Sequence, residues 1–391
     1  MILSELLKRD FVFSDGAGGT MLQKMGLKTG ERPDIMNMTS PDAVYNVHSQ
    51  YVQAGSDILV TNTFGANAAA LEKTGYSVEE IITAAVSAAK RAGEGRTITA
   101  LDIGPVGEFM SPYGALTTDA AYELFKPQAI AGENVGADIA AIETMSDILE
   151  LKAAVLAVTE NSKLPVFATM TFNKEAMTYA GCSAESFALT AAHLGVLALG
   201  LNCSFGPADV FGSVEKISKM SALPLIVKPN AGLPNSVTGE YDLGAREFTE
   251  QMLAFADVGA KILGGCCGTS PEYISALKER FSGVTSTKPE SVQGRFVCSR
   301  NRVVRIDAPD FRTESLTVVE LKGDLSPDEA VSEIVNAQMS SDKPLHIVSR
   351  VNEALCSSLR AVAGIAAVSL LSSADEETRG ELLRLGAELI Q

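Results

Sequence analysis

Positive charge is scarce in this 391-residue chain: 32 Lys and Arg stand against 48 Asp and Glu, a formal net charge of −16, and no Lys/Arg run offsets it. A surface of that sign repels nucleic acid and anionic membrane, which excludes both as expected partners. Long apolar runs are also missing. No stretch approaches the roughly 18 to 20 uncharged residues of a membrane span, because charged or turn residues interrupt each one. The first ten residues, Met1 to Asp10, lack the apolar core and small-residue cleavage site of a signal peptide and read as a short amphipathic helix. A cytoplasmic location is expected. Cysteine is limited to positions 182, 203, 266, 267, 298 and 356, too few and too scattered for a disulfide framework. Reduced thiols, free to bind metal, are the expectation.

What is present is enough apolar sequence for a large core, 46% hydrophobic against 20% charged residues. Through the first ~280 residues, apolar strand patterns alternate with amphipathic helix patterns, as in a parallel sheet. Eight strands are predicted: 11–15, 57–64, 97–104, 138–145, 165–172, 196–204, 224–230 and 261–267. Helical patterns at 41–54, 78–92, 119–135 and 246–258 lie between them, and Gly55, Gly136 and Gly259 are placed to end helices in the left-handed conformation. Eight units point to an α/β (β/α)8 TIM barrel; an open doubly wound sheet would show the same local pattern. Polar residues gather where the strands end, among them Asp15, Asn62, Asp102, Glu143, Asn202, Lys228 and Asn230. In a barrel those positions share the rim that carries the chemistry.

The barrel is expected to span 1–284. A polar, proline-containing stretch at 285–293 reads as a linker, and 294–391 as a small C-terminal α/β domain. That tail has strand patterns at 302–307, 316–322, 345–350 and 365–371 and helical patterns near 327–339, 351–362 and 375–389. It carries no phosphate loop and no cluster of catalytic residue types, so a docking or scaffold role is expected.

Two cysteine segments stand out. Gly264-Gly265-Cys266-Cys267-Gly268-Thr269 closes the eighth strand, and Asn202-Cys203-Ser204 closes the sixth. Alternate strand residues face opposite ways, so adjacent cysteines reach one metal only if the chain turns, which the flanking glycines permit. A disulfide between Cys266 and Cys267 is disfavoured, since neighbouring Cα atoms sit about 3.8 Å apart and ordinary bridges need at least about 4.4 Å. Three thiolates at about 2.3 Å leave tetrahedral Zn2+ one open position, as in a catalytic site. Cys182, Cys298 and Cys356 have no such context. His48, His193 and His346 are not obvious ligands or bases, and Lys228 reads as a rim ion pair rather than a Schiff-base lysine.

The segments Asp15-Gly-Ala-Gly-Gly-Thr20, Gly55-Ser-Asp-Ile-Leu-Val-Thr-Asn-Thr-Phe64, Glu143-Thr-Met, Gly200-Leu-Asn-Cys-Ser204, Lys228-Pro-Asn-Ala-Gly-Leu-Pro234 and Gly264-Gly-Cys-Cys-Gly-Thr269 follow one another in an order that resembles the homocysteine S-methyltransferase family. Within it, the likeness is to the homocysteine-binding module of cobalamin-dependent methionine synthases, over residues ~10 to 281. That resemblance implies a zinc enzyme with Cys203, Cys266 and Cys267 as catalytic metal ligands and the thiol of homocysteine in the fourth position. It implies that Asp15 and Glu143 hold the substrate ammonium, that the backbone of Asp15, Gly16, Ala17, Gly18, Gly19 and Thr20 cradles its carboxylate, and that Asn62 and Asn202 lie in the substrate site. The implied methyl donor is methylcobalamin on a separate corrinoid protein. S-methylmethionine, betaine and S-adenosylmethionine remain open as donors, and a zinc-bearing docking subunit is the reading from another class. The tail could also be a remnant of the pterin-binding barrel that follows this module in methionine synthases.

Overall fold

The computed structural model describes residues 2–28, 30–235 and 238–390; Met1, Thr29, Ser236, Val237 and Gln391 lie outside the described residues. The eight predicted strands form, seven of them shortened within their spans and the eighth starting one residue before its own, as β1 (Val12–Phe13), β2 (Ile58–Val60), β3 (Ile98–Ile103), β4 (Ile139–Met145), β5 (Val166–Met170), β6 (Ala198–Cys203), β7 (Leu225–Pro229) and β8 (Ala260–Leu263). All pair in parallel in the order β1-β8-β7-β6-β5-β4-β3-β2. Closure decides between barrel and open sheet. Val12 pairs with Ile262 on one side of β1, and a parallel bridge from Ser14 to Ile58 joins its end to β2 on the other. The sheet is a closed barrel.

Strand periodicity sorts the apolar residues into two cores. One set faces outward onto the helices. The other, including Val12, Ile58, Ile98, Ile139, Phe167, Ile226 and Ile262 from the first halves of the strands, packs inside the barrel with Leu6. The amphipathic N-terminal segment forms the helix Leu3–Leu6, and Leu3, Leu6 and Leu7 plug this end of the barrel. Each such buried side chain contributes about 1.5–3 kcal/mol.

The helices Pro41–Ala54, Val78–Gly93 and Thr118–Asn134 match their predicted patterns, whereas the fourth, over 246–258, divides into an α-helix Ala245–Met252 and a 3-10 segment Leu253–Val258. Gly55, Gly136 and Gly259 have φ of 97°, 79° and 77°, the left-handed stops expected of them.

Residues 285–293 hold no helix or strand, yet they are tied to the barrel: Thr287 donates its N–H to Ala256 O at 2.9 Å and Val292 to Lys219 O at 2.8 Å. Beyond them, β9 (Phe296–Cys298) and β10 (Val303–Arg305) make an antiparallel hairpin, so the strand predicted at 302–307 does not join the main tail sheet. That sheet is parallel, in the order β11 (Thr317–Glu320), β12 (Leu345–Ser349), β13 (Ala366–Leu370), β14 (Ala387–Ile390). The helix predicted over 375–389 stops at Arg384, because Gly386 at φ 95° turns the chain into β14. The tail packs directly on the barrel. Lys152, fully buried, donates its ammonium to the Leu359, Val362 and Gly364 carbonyls at 2.8, 3.0 and 3.5 Å, and Arg360 pairs with Glu160 at 2.6 Å.

Candidate metal and substrate site

The three cysteines named from sequence converge. Their Sγ atoms all lie within 4.8 Å of one another, and they are the one group of three or more potential ligands of this kind among the described residues. Sulfurs at tetrahedral positions about 2.3 Å from a zinc ion are about 3.8 Å apart, so the cluster needs little adjustment to hold one.

Backbone strain brings them there. Cys203 ends β6 with φ 61°, and Ser204 follows at 73°, the left-handed region that non-glycine residues rarely enter. Two hydrogen bonds hold the kink: Ser204 Oγ accepts from Phe172 N–H at 3.0 Å, and Ser204 O accepts from Asn230 Nδ2 at 3.1 Å. On the facing loop, Cys266 donates its N–H to Pro229 O at 2.8 Å. Thr269 Oγ1 donates to Cys266 O at 2.8 Å and accepts from Ala17 N–H at 3.2 Å, locking the cysteine loop to the glycine-rich loop. A Cβ on Gly265 would fall 2.4 Å from Thr269 Oγ1, and one on Gly268, at φ 82°, 2.2 Å from the Tyr241 ring. These two glycines are required by close approach as well as by the turn.

The thiols share charge. Hydrogen bonds from Cys203 and Cys266 hold the Cys267 thiol down at about 3, while the hydrogen bond to Cys203 pushes Cys266 well above the usual cysteine range. Hydrogen bonding among these half-buried thiols thus favours a thiolate, the form that binds metal.

Beside the sulfurs lies a cavity of about 260 Å3, bounded by the loop 15–20, Asn62, Asp102, Glu143, Lys228 and the three cysteines. Asp15 is buried; its Oδ2 accepts from Val60 N–H at 2.8 Å and its Oδ1 from Ser14 Oγ at 3.2 Å. Burial pushes its carboxyl up to about 7 against the pull of Lys228. Glu143 pairs with the Lys228 ammonium at 2.8 Å, the rim ion pair read from the sequence. Burial opposes the charge on Lys228, but Glu143 and Asp15 outweigh it and hold the group above the ordinary lysine range. Asn62 lines the cavity and donates to Pro33 O at 2.6 Å.

Asn202 sits elsewhere. It is fully buried behind the wall, its Oδ1 accepting from Thr144 N–H at 2.8 Å and Thr169 Oγ1 at 2.7 Å, its Nδ2 donating to Thr144 Oγ1 at 2.7 Å and lying 3.9 Å from Cys266 Sγ. Its place is that of a brace from β6 to β4, β5 and the cysteine loop rather than a surface of the cavity.

Three further residues face the cavity: Tyr51, which the sequence does not single out, His48, expected to be neither ligand nor base, and Asp102, expected only as a polar residue at a strand end. Tyr51 donates its hydroxyl to Ala17 O at 3.0 Å and packs over Gly16. His48, one turn earlier, is 4% exposed with no partner on either ring nitrogen, and burial lowers it to about 4, so it is neutral. Asp102 is also buried, with Oδ1 unpartnered, and burial together with nearby Glu143 pushes its carboxyl well up. The signal for the first two was their position with Val44 and Val47 on the buried i, i+3, i+4, i+7 face of one helix. A larger cavity, about 350 Å3, lies between residues 111–113 and the tail and includes Arg300 and Lys343, but it gathers no such ligand cluster.

The sequence profile of the homocysteine S-methyltransferase family matches residues 12–281. The chain belongs to that family. The match covers the barrel and leaves the tail outside. A methionine synthase from Mycobacterium leprae (strain TN) is 31% identical over a 296-residue alignment that covers 70% of this chain and 24% of that protein, so the chain spans about a quarter of its relative's length. Among solved structures, the homocysteine methyltransferase MmuM from Escherichia coli superposes in its metallated form with a TM-score of 0.61 at 24% identity, over 71% of this chain and 99% of that one. Its oxidised form gives 0.60 at 25% identity, over 71% and 98%. These structural likenesses establish the barrel shared with the family.

Proposed function

We propose that this member of the homocysteine S-methyltransferase family is a zinc-dependent methyltransferase that activates the thiol of homocysteine for attack on a methyl group, giving methionine. The observation that carries the reading is the convergence of three cysteine sulfurs within 4.8 Å at the edge of a cavity lined by carboxylates. Cys203, Cys266 and Cys267 would hold zinc. Bound there with one position open, zinc would let a substrate thiol ionise at neutral pH, where a free thiol near pKa 8.5 is mostly protonated.

The protein's own part is to bind and orient. Asp15 and Glu143 supply negative charge for the substrate ammonium, and the backbone of Gly16 to Thr20 supplies N–H groups for its carboxylate. Asn202 braces the cysteine loop, and the kink at Cys203 sets its thiol over the rim. Methyl transfer then forms the sulfur–carbon bond while the donor's leaving group keeps the electron pair of the bond that breaks. The donor we assign is methylcobalamin, presented by a corrinoid protein from outside these 391 residues, in keeping with the motif-level likeness to methionine synthases. S-methylmethionine, betaine and S-adenosylmethionine are the competing donors.

The test is X-ray absorption of the zinc-loaded protein with and without homocysteine. One zinc per chain bound by three sulfurs, rising to four with homocysteine, supports the assignment; absence of zinc, or a sulfur count that homocysteine leaves unchanged, overturns it. Single turnovers with each donor then identify the methyl source.

A further inference from the structure

Three carboxylates and one ammonium face the cavity, and all but one of these groups have a hydrogen-bond partner there. Asp15 accepts from Val60 N–H and the Ser14 hydroxyl, and Glu143 accepts from Lys228. Asp102 differs. Its backbone is fully engaged, the N–H donating to Thr61 Oγ1 at 3.0 Å and the carbonyl accepting from Thr63 Oγ1 at 2.8 Å, so β3 is held firmly against the end of β2. Its side chain, 6% exposed, keeps Oδ1 without any donor.

A buried carboxylate oxygen with no donor is costly, and buried polar groups are otherwise almost always paired. What would satisfy this one must enter through the cavity. Asp102, Asp15 and Glu143 face Lys228 as the one cation among them, so the deficit is of positive charge, and an ammonium brings three donors and no acceptor. We propose that Asp102 is a substrate-binding residue that accepts a hydrogen bond from the α-ammonium of the amino-acid thiol and selects it over thiols without an amine. This rests on the homocysteine reading above and adds the residue that sets amine specificity. An arriving cation also offsets the burial and carboxylate repulsion that push the Asp102 carboxyl up, so binding and ionisation of this group reinforce each other.

The experiment compares homocysteine with 4-mercaptobutanoate, which has the same chain, thiol and carboxylate but no amine. Dissociation constants are measured by calorimetry on zinc-loaded wild type and Asp102→Asn, whose side chain keeps the shape and loses the charge. The expected result is that wild type prefers homocysteine. In Asp102→Asn, homocysteine affinity falls by roughly 10- to 100-fold, the scale of a lost charged hydrogen bond, while 4-mercaptobutanoate stays within about twofold. Equal loss for both ligands, or no loss for either, overturns the proposal. A second measurement needs no variant: the Asp102 carboxyl carbon signal in 13C-labelled wild type is expected to move with homocysteine and stay in place with 4-mercaptobutanoate, and identical responses overturn the proposal. Wild type that binds both thiols equally sinks this inference alone. Wild type that binds neither sinks the proposed function together with it.

Discussion

The two ends of the barrel are built from the same eight strands and obey opposite rules. At the closed end, Leu3, Leu6 and Leu7 press into a layer of Ile, Val, Ala and Phe side chains. At the open end, within four residues of a strand terminus, Asp15, Asp102 and Lys228 are buried and Glu143 and the cysteines half-buried, yet they carry charge, strain and an unpaired atom. Stability and chemistry are thus separated along the strand axis, and a change at one end should leave the other's property largely intact.

The largest effect is expected at the sulfurs. Cys266→Ser is expected to abolish zinc retention and lower methyl transfer by at least about 10³-fold, since the proposed zinc would supply several kcal/mol to thiol activation, with little loss of thermal stability in the metal-free protein. Zinc analysis and calorimetric melting of the apo forms check both halves. The converse is Phe167→Ala at the closed end, which should destabilise by about 3–5 kcal/mol through the cavity it leaves, with zinc content and homocysteine affinity unchanged. Urea unfolding decides it, and a large change in homocysteine affinity would show that the ends are coupled.

Stability should also depend on pH. Glu150, buried near the rim, accepts Val106 N–H at 2.7 Å, and burial pushes its carboxyl from 4.5 to about 7. The folded state therefore binds more protons than the unfolded one between these values, and stability falls as pH rises from about 4.5 through 7. Glu150→Gln should be the more stable protein above pH 7 by up to about 3 kcal/mol, a gap that closes below pH 4.5. Unfolding curves at pH 4.5, 6 and 8 test the sign. The smallest effect is expected from Thr269→Val, which removes the tie from the cysteine loop to the glycine-rich loop. A loss of about 1 kcal/mol in stability should accompany a several-fold rise in KM for homocysteine, with kcat less affected.

Much of the framework was legible beforehand because it depends on local periodicity. The helix Pro41–Ala54 was readable to the residue from its apolar spacing and from Gly55 after it, and all eight barrel strands fell within or beside their predicted spans. The errors lie where partners are distant. β9 is three residues long and exists because it pairs with β10 and, through Cys298, with Ile365; no alternation over three residues can announce that. β14 was read as the end of a helix because its turn depends on Gly386 and its pairing on β13.

The candidate site shows the same division. The cysteine motifs, the glycine-rich loop and the carboxylates at strand ends were visible as residue types in order. That Asn202 braces while Asn62 lines, and that Asp102 lacks a partner while Asp15 and Glu143 have theirs, depends on hydrogen bonds between residues far apart in the chain. Lys152 is the clearest case: on an apolar helix it is one charge among many, and only the tail's arrival places three carbonyls around it.

The alternation of strand and helix, the glycine stops and the set of groups able to bind metal are already encoded locally in the chain, because these follow from side-chain periodicity and from the chemistry of single residues. Closure of the barrel, the left-handed turn that swings Cys203 toward Cys266 and Cys267, and the balance of paired and unpaired charge in the cavity arise only on folding. Each rests on contacts between atoms tens to hundreds of residues apart, whose energies do not exist until the chain has closed around them.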